Sequence, residues 1–178
     1  VEVDRALVWD NSNGNRDLIS VTVAGEVIRH NPLVVDEATR DLRLTARSPA
    51  RGQASDGGDL GALPFDGAAT RALMGTLRED LVLTAEGSPW RIPGDLYVPV
   101  GVTLTVQPGA VVQLGPGDAS ESGVDRNRVE VIVDGTLQSG GTPEAPVVWA
   151  SAEPNPGRSD WYGVRLQAPA VDCVVRDA

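Results

Sequence analysis

A chain of 178 residues with 41% hydrophobic content is long enough for one ordinary domain or two small ones, but only 4% of it is aromatic, so any core must be built from Val, Leu, Ile and Ala. Twenty Gly and 13 Pro are poor material for helices and good material for turns between short strands, which selects an all-β class. A formal charge of −10, with 15 arginines scattered among 25 acids and no lysine, excludes the basic stripe that nucleic acid requires and leaves solubility and cation binding as what the acids imply.

Three zones are predicted in chain order. Residues 1–65 hold candidate strands at Val1–Trp9, Leu18–Val23, Asn31–Val35 and Asp41–Thr45, followed by a Gly-rich tail at Gly57–Pro64. Residues 66–80 form a linker, and within it Ala68–Leu77 is the one stretch with good helix formers in succession, so a short helix is the alternative there. Residues 81–178 carry short apolar strands: Val102–Val106, Ala110–Leu114, Val129–Val133, Pro146–Trp149 and Trp161–Leu166, each bounded by Gly, Pro or Asp. Their apolar residues alternate, with Val102, Leu104 and Val106 on one face and Val129, Val131 and Val133 on another, so each strand buries one side. Strands this short and this regularly interrupted bury all those faces together if the chain winds into a coil that stacks on itself. Gly115–Arg128, rich in Asp, Glu, Ser and Asn, is then expected to project as a surface loop. Tyr97–Gly117 carries no charge, but seven Gly and Pro residues and the alternation of Thr and Gln with Val and Leu exclude a membrane helix.

Several residues are weighed as chemistry. Asp10, Asn13 and Asp17, in the run Asp10-Asn-Ser-Asn-Gly-Asn-Arg-Asp17, supply hard oxygen ligands around a Gly and form the candidate calcium site; a polar inter-strand loop is the competing reading, since turns call for the same residues. Asp56-Gly-Gly-Asp59 is a lesser candidate on the same grounds. His30 is the only histidine, which excludes a zinc site of several imidazoles. Gly57–Gly61 lacks the Lys-Ser/Thr of a phosphate loop. Cys173 alternates with Val171 and Val175 and is expected as a small buried strand residue, with no internal disulfide partner. Trp90, Trp149 and Trp161 are expected to pack on the core or cap it, with sugar stacking as the rival role.

The phrases Ser88-Pro-Trp90, Ile92–Val112, Val133-Asp-Gly-Thr-Leu137, Gly141–Val148 and Asp160–Val164 together resemble the N-terminal coils of right-handed parallel β-helix, pectate-lyase-like repeat proteins of bacterial surfaces. Ala6–Asn11, Asn31–Asp36, Asp41–Leu44, Ser48-Pro-Ala50 and Asp59–Phe65 resemble the closing coil and tail of the same superfamily, although Arg51-Gly-Gln53 departs from the usual phrase. The resemblance implies a junction: residues 1–65 close one β-helix, and residues 81–178 cap and open a second. It also implies a secreted or cell-surface location, with any targeting signal outside this chain, and further coils of a longer protein stacked beyond Val171–Ala178.

Relatives of this kind that cleave polysaccharides hold calcium with acids at matching positions on neighbouring coils and remove a sugar proton with an arginine or lysine. Asp134, Asp160 and Arg165 are the residues compared with that pattern; an Asp-Gly turn, a loop cap and a solvated arginine are the favoured account of them, so no catalytic residue is assigned. The expected function is a non-catalytic structural or adhesive segment that contacts polysaccharide or cell-surface glycans and needs no cofactor beyond a calcium ion. The alternative is part of a calcium-dependent polysaccharide lyase or glycoside hydrolase whose groove lies mostly elsewhere. An ice-binding solenoid would need a long Thr-x-Thr array, and only Thr103-Leu-Thr105 is present.

Overall fold

The computed structural model describes residues 2–3, 5–7, 22–25, 27–28, 31–36, 41–61, 63, 65–67 and 73–178. They fall into two compact units, Val1–Arg71 and Ala72–Ala178, and no helix occurs among them.

In the first unit, β1 (Glu2–Val3) and β2 (Ala6–Leu7) pair in parallel with β3 (Thr22–Val23) and β4 (Val27–Ile28). Glu2 meets Thr22 and Ala6 meets Val27, so the chain returns to the same position after about one coil of twenty residues. β5 (Val34–Asp36) and β6 (Asp41–Leu44) then form an antiparallel hairpin. Asn31 Oδ1 accepts the Leu33 amide and starts the turn that the Asn-Pro pair predicts. In the tail, the Asp59 carboxylate accepts the Gly52 and Phe65 amides, and the Arg51 guanidinium lies 3.9 Å over the Phe65 ring. Asp56 Oδ1 accepts the Gly58 amide, so the acids of Asp56-Gly-Gly-Asp59 serve turn closure.

The second unit is a parallel β-helix. Its strands are β7 (Gly75–Thr76), β8 (Leu81–Leu83), β9 (Trp90–Ile92), β10 (Leu96–Val98), β11 (Thr103–Val106), β12 (Val111–Leu114), β13 (Glu130–Val133), β14 (Thr136–Gly140), β15 (Val148–Ser151), β16 (Gly163–Leu166) and β17 (Val174–Arg176). Every third strand joins the same sheet, giving β7-β10-β13-β16 (sheet A), β8-β11-β14-β17 (sheet B) and β9-β12-β15 (sheet C), all paired in parallel. Gln107-Pro-Gly-Ala110 makes one of the corners: Ala110 N donates to Gln107 O, and Gly109 takes the left-handed conformation at φ 77° that a side chain resists.

The register stacks like on like. Leu104 lies between Leu81 and Leu137, Leu96 meets Val131, and Val112 lies between Trp90 and Trp149. Leu83, Ile92, Leu96, Leu104, Leu114 and Leu137 are completely enclosed, each contributing about 1.5–3 kcal/mol of burial. The alternation of Leu104, Val106, Val112, Leu114, Val131 and Val133 is therefore the inward face of the solenoid, and Trp90, Trp149 and Trp161, partly buried, pack against that core. Trp149 donates its indole N–H to the buried Ser139 hydroxyl at 3.0 Å, Trp90 donates to Thr84 O at 2.8 Å, and Trp161 packs against the same cluster. Tyr97–Gly117 is strand and turn, and among the described residues no helix is long and apolar enough to cross a membrane.

Of Ala68–Leu77, residues 73–77 are described: Gly75–Thr76 is a strand that pairs with β10, and Leu73 and Leu77 are buried in the core. One expectation differs from what is found. Gly115–Arg128 does not project. It folds back as a strap, with Asp118, Ser120 and Ser122 buried, because Asp118 accepts the Asp95 amide on the coil and Glu130 on the coil accepts the strap's Val124 and Asp125 amides.

Candidate functional site

Asp95 immediately precedes β10, and Glu130 opens β13. Leu96 pairs with Val131, so these two acids occupy equivalent positions on neighbouring coils, and alternation turns both to the outside of sheet A along with Tyr97, Ile132 and Arg165. On a bare coil both would be solvated. Here Asp95 is 4% exposed and Glu130 fully buried, because the strap lies over them.

The strap is held by carboxylates. Asp118 Oδ1 accepts the amides of Asp95 (3.0 Å) and Ser120 (2.8 Å), and its Oδ2 accepts that of Ser122 (2.7 Å). Glu130 Oε1 accepts the Val124 and Asp125 amides, both at 2.8 Å, while Oε2 receives Arg165 Nη1 at 2.5 Å from the next coil. Asp95 Oδ1 accepts the Glu130 amide at 2.7 Å, and its Oδ2 lies 2.7 Å from the Ser122 hydroxyl. Gly123 seats the strap between the two rungs. A Cβ there would stand 2.6 Å from Asp95 Oδ2 and 2.9 Å from Glu130 Oε1, and its φ is +69°.

Burial pushes the Asp95 carboxyl up to about 7, outweighing the hydrogen bonds from Ser122 and the Glu130 amide that favour its ionised form; the neighbouring Asp118 and Glu130 charges raise it further. Burial also raises Asp118, against three backbone amides that hold it down. Farther along the strap, the Asn127 amide and then Arg128 hold the Asp125 carboxyl below its ordinary range. The row therefore combines one carboxyl raised by burial, two further buried acids and one half-buried guanidinium.

Of the residues singled out from the sequence, Arg165 joins this row. Asp134 and Asp160 do not. Asp134 Oδ2 accepts the Tyr97 hydroxyl at 2.6 Å, and burial followed by that contact pushes the phenol up to about 12. Asp160 accepts the Gly157 amide and the Ser151 hydroxyl, which hold it below the usual carboxylate range, and so closes its own loop. Asp10, Asn13, Asp17 and His30 lie outside the described residues. Cys173 is half-buried, its sulfur accepting the Leu137 amide at 3.3 Å. Among the described residues no group of three acids, histidines or cysteines is placed to hold a metal ion. The acid row has a signal in the sequence: aligning Asp95-Leu-Tyr-Val98 with Glu130-Val-Ile-Val133 puts both acids one position before an apolar strand.

In comparisons with known proteins, no family model, no curated protein and no solved structure matches the chain.

Proposed function

We propose that this chain is a non-catalytic structural and adhesive segment of a secreted or cell-surface β-helix protein, related to pectate-lyase-like repeat proteins, with its first unit closing one solenoid and its second opening another. The observation that carries this reading is the use made of the outward acids on neighbouring rungs: five of the six oxygens of Asp95, Asp118 and Glu130 are engaged with the strap or Arg165, and the sixth, Asp95 Oδ1, accepts the Glu130 amide of the next rung. Acids engaged in this way act as scaffold. The parallel pairs in the first unit recur at a spacing close to the first coil of the second, where Trp90 meets Val112, although the next coil, from Val112 to Trp149, is longer; the match with the opening coil supports the junction.

The surface left for contact is the lower row of sheet A, where Tyr97, Ile132 and Arg165 stand side by side and the exposed Tyr162 lies under Arg128. Aromatic faces beside guanidinium groups suit acidic glycans. The full chain should bind an acidic polysaccharide in calorimetry and lose most of that affinity in Tyr162→Ala. The same polysaccharide should come through prolonged incubation uncut.

The second reading, a carbohydrate-active enzyme, is favoured by one specific feature: acids at equivalent positions on adjacent rungs with an arginine on the third. Chain cleavage that is abolished in Glu130→Gln would establish it and overturn the first.

A further inference from the structure

We propose that the Gly115–Arg128 strap is a proton-sensitive latch, closed over the outer acid row of sheet A while Asp95 holds a proton and released as Asp95 ionises. The geometry sets three carboxyl groups from three segments around one buried spot: Asp95 before β10, Asp118 on the strap and Glu130 on β13. Arg165, reaching from β16, bonds the Glu130 oxygen that does not hold the strap, and leaves Asp95 and Asp118 to their hydrogen bonds. The other charged groups of the strap are engaged with one another, Arg128 with Asp125 and Arg126 with Glu121.

With Asp95 neutral, its proton sits on Oδ2 and is donated to the Ser122 hydroxyl oxygen, while Oδ1 still accepts the Glu130 amide. Both contacts survive, and Asp118 and Glu130 share the cavity with no third negative charge. With Asp95 ionised, a further anion is enclosed beside two others where solvent cannot screen it. Lifting the strap removes the conflict at once, since it carries Asp118 away and admits water to Asp95 and Glu130. Gly123, in the left-handed region and against both carboxylates, keeps the strap close enough for the charges to be felt.

The sign follows from the raised carboxyl. The closed strap binds the proton more tightly than the open one, so closure is complete below the ordinary carboxylate range and weakens as pH rises toward about 7. One linked proton changes the opening equilibrium by about tenfold per pH unit in that window. Burial shifts Asp118 in the same direction.

Amide hydrogen exchange on the full chain from pH 4 to pH 8, corrected for intrinsic exchange, tests this. Protection of the Ser122, Val124 and Asp125 amides should fall by about tenfold per pH unit up to about 7, about a thousandfold in all. The Gly109 and Thr136 amides, which bond to Ala145 O and Val102 O on the coil, should hold steady. Asp95→Asn keeps the shape and the acceptor for the Glu130 amide without an ionisable group; its strap should keep only the weaker pH dependence that Asp118 contributes. Strap protection that does not change with pH in the native chain overturns the latch whether or not the variant folds, and so does a pH dependence as steep in Asp95→Asn as in the native chain. Carboxyl carbon shifts of Asp95 in the native chain should titrate with the same midpoint as the loss of protection, and a midpoint near 4 would also overturn the proposal.

Discussion

Gly123 shows how much of the site depends on a single position. Two independent constraints meet there, a left-handed backbone and the absence of room for a Cβ beside Asp95 and Glu130. Gly123→Ala therefore has to relax the backbone and displace at least one carboxylate that anchors the strap. Such strain costs about 1–3 kcal/mol, and the loss should appear as a lower denaturation midpoint with unchanged denaturant slope. The same substitution at Gly117, where a Cβ would meet nothing and φ is not positive, should cost less than half as much. Equal losses at the two positions would mean that the contact with the acid row contributes nothing. The Gly-rich, polar composition of Gly115–Arg128 is legible in sequence as a loop, but the role of Gly123 is not, because both atoms it would strike belong to residues outside the loop.

At the scale of elements, the strands of the second unit are the most legible part of the chain. Thr103–Val106, Val111–Leu114 and Glu130–Val133 match the apolar alternation to within a residue, because one face of each strand is buried and the period is two. The strap is the least legible element, since Asp118 finds a donor in the Asp95 amide 23 positions away and composition carries no trace of that pairing. Asp134 and Asp160 drew attention because they flank strands, yet each satisfies a local need. The strap should behave as one unit anchored twice, by Asp118 near its start and by Glu130 near its end. Asp118→Ala leaves the Asp95, Ser120 and Ser122 amides without their acceptor, a cost of about 1–3 kcal/mol. Limited trypsin digestion should then cut the variant at Arg126 and Arg128 sooner than the native chain, with cleavage at Arg158, in a separate exposed loop, unchanged as the internal standard.

For the second unit as a whole, stacking makes stability depend on position along the solenoid. A middle-rung strand such as β11 is hydrogen-bonded to β8 on one side and β14 on the other, whereas β15, β16 and β17 each have a single neighbour among the described residues. The side chains follow the same gradient. Leu104 is enclosed by the leucines above and below it, while Leu166 and Val175, in register with the buried Val133 and Ser139, are 52% and 57% exposed. Contacts in a solenoid are made mainly with adjacent coils, so local opening should begin at β16 and β17 and reach the middle rungs only on complete unfolding of the unit. Amide exchange should accordingly rank β10, β11, β13 and β14 as the slowest and β17 as the fastest. Leu104→Ala opens a cavity in contact with two rungs and should cost about 2–5 kcal/mol, whereas Val175→Ala should stay within about 0.5 kcal/mol. Both are measured by denaturant unfolding of the full chain. Similar losses at the two sites would show that the unit is equally stable along its length, and the single core running from Leu73 to Val147 would then have to extend through the last rung as well.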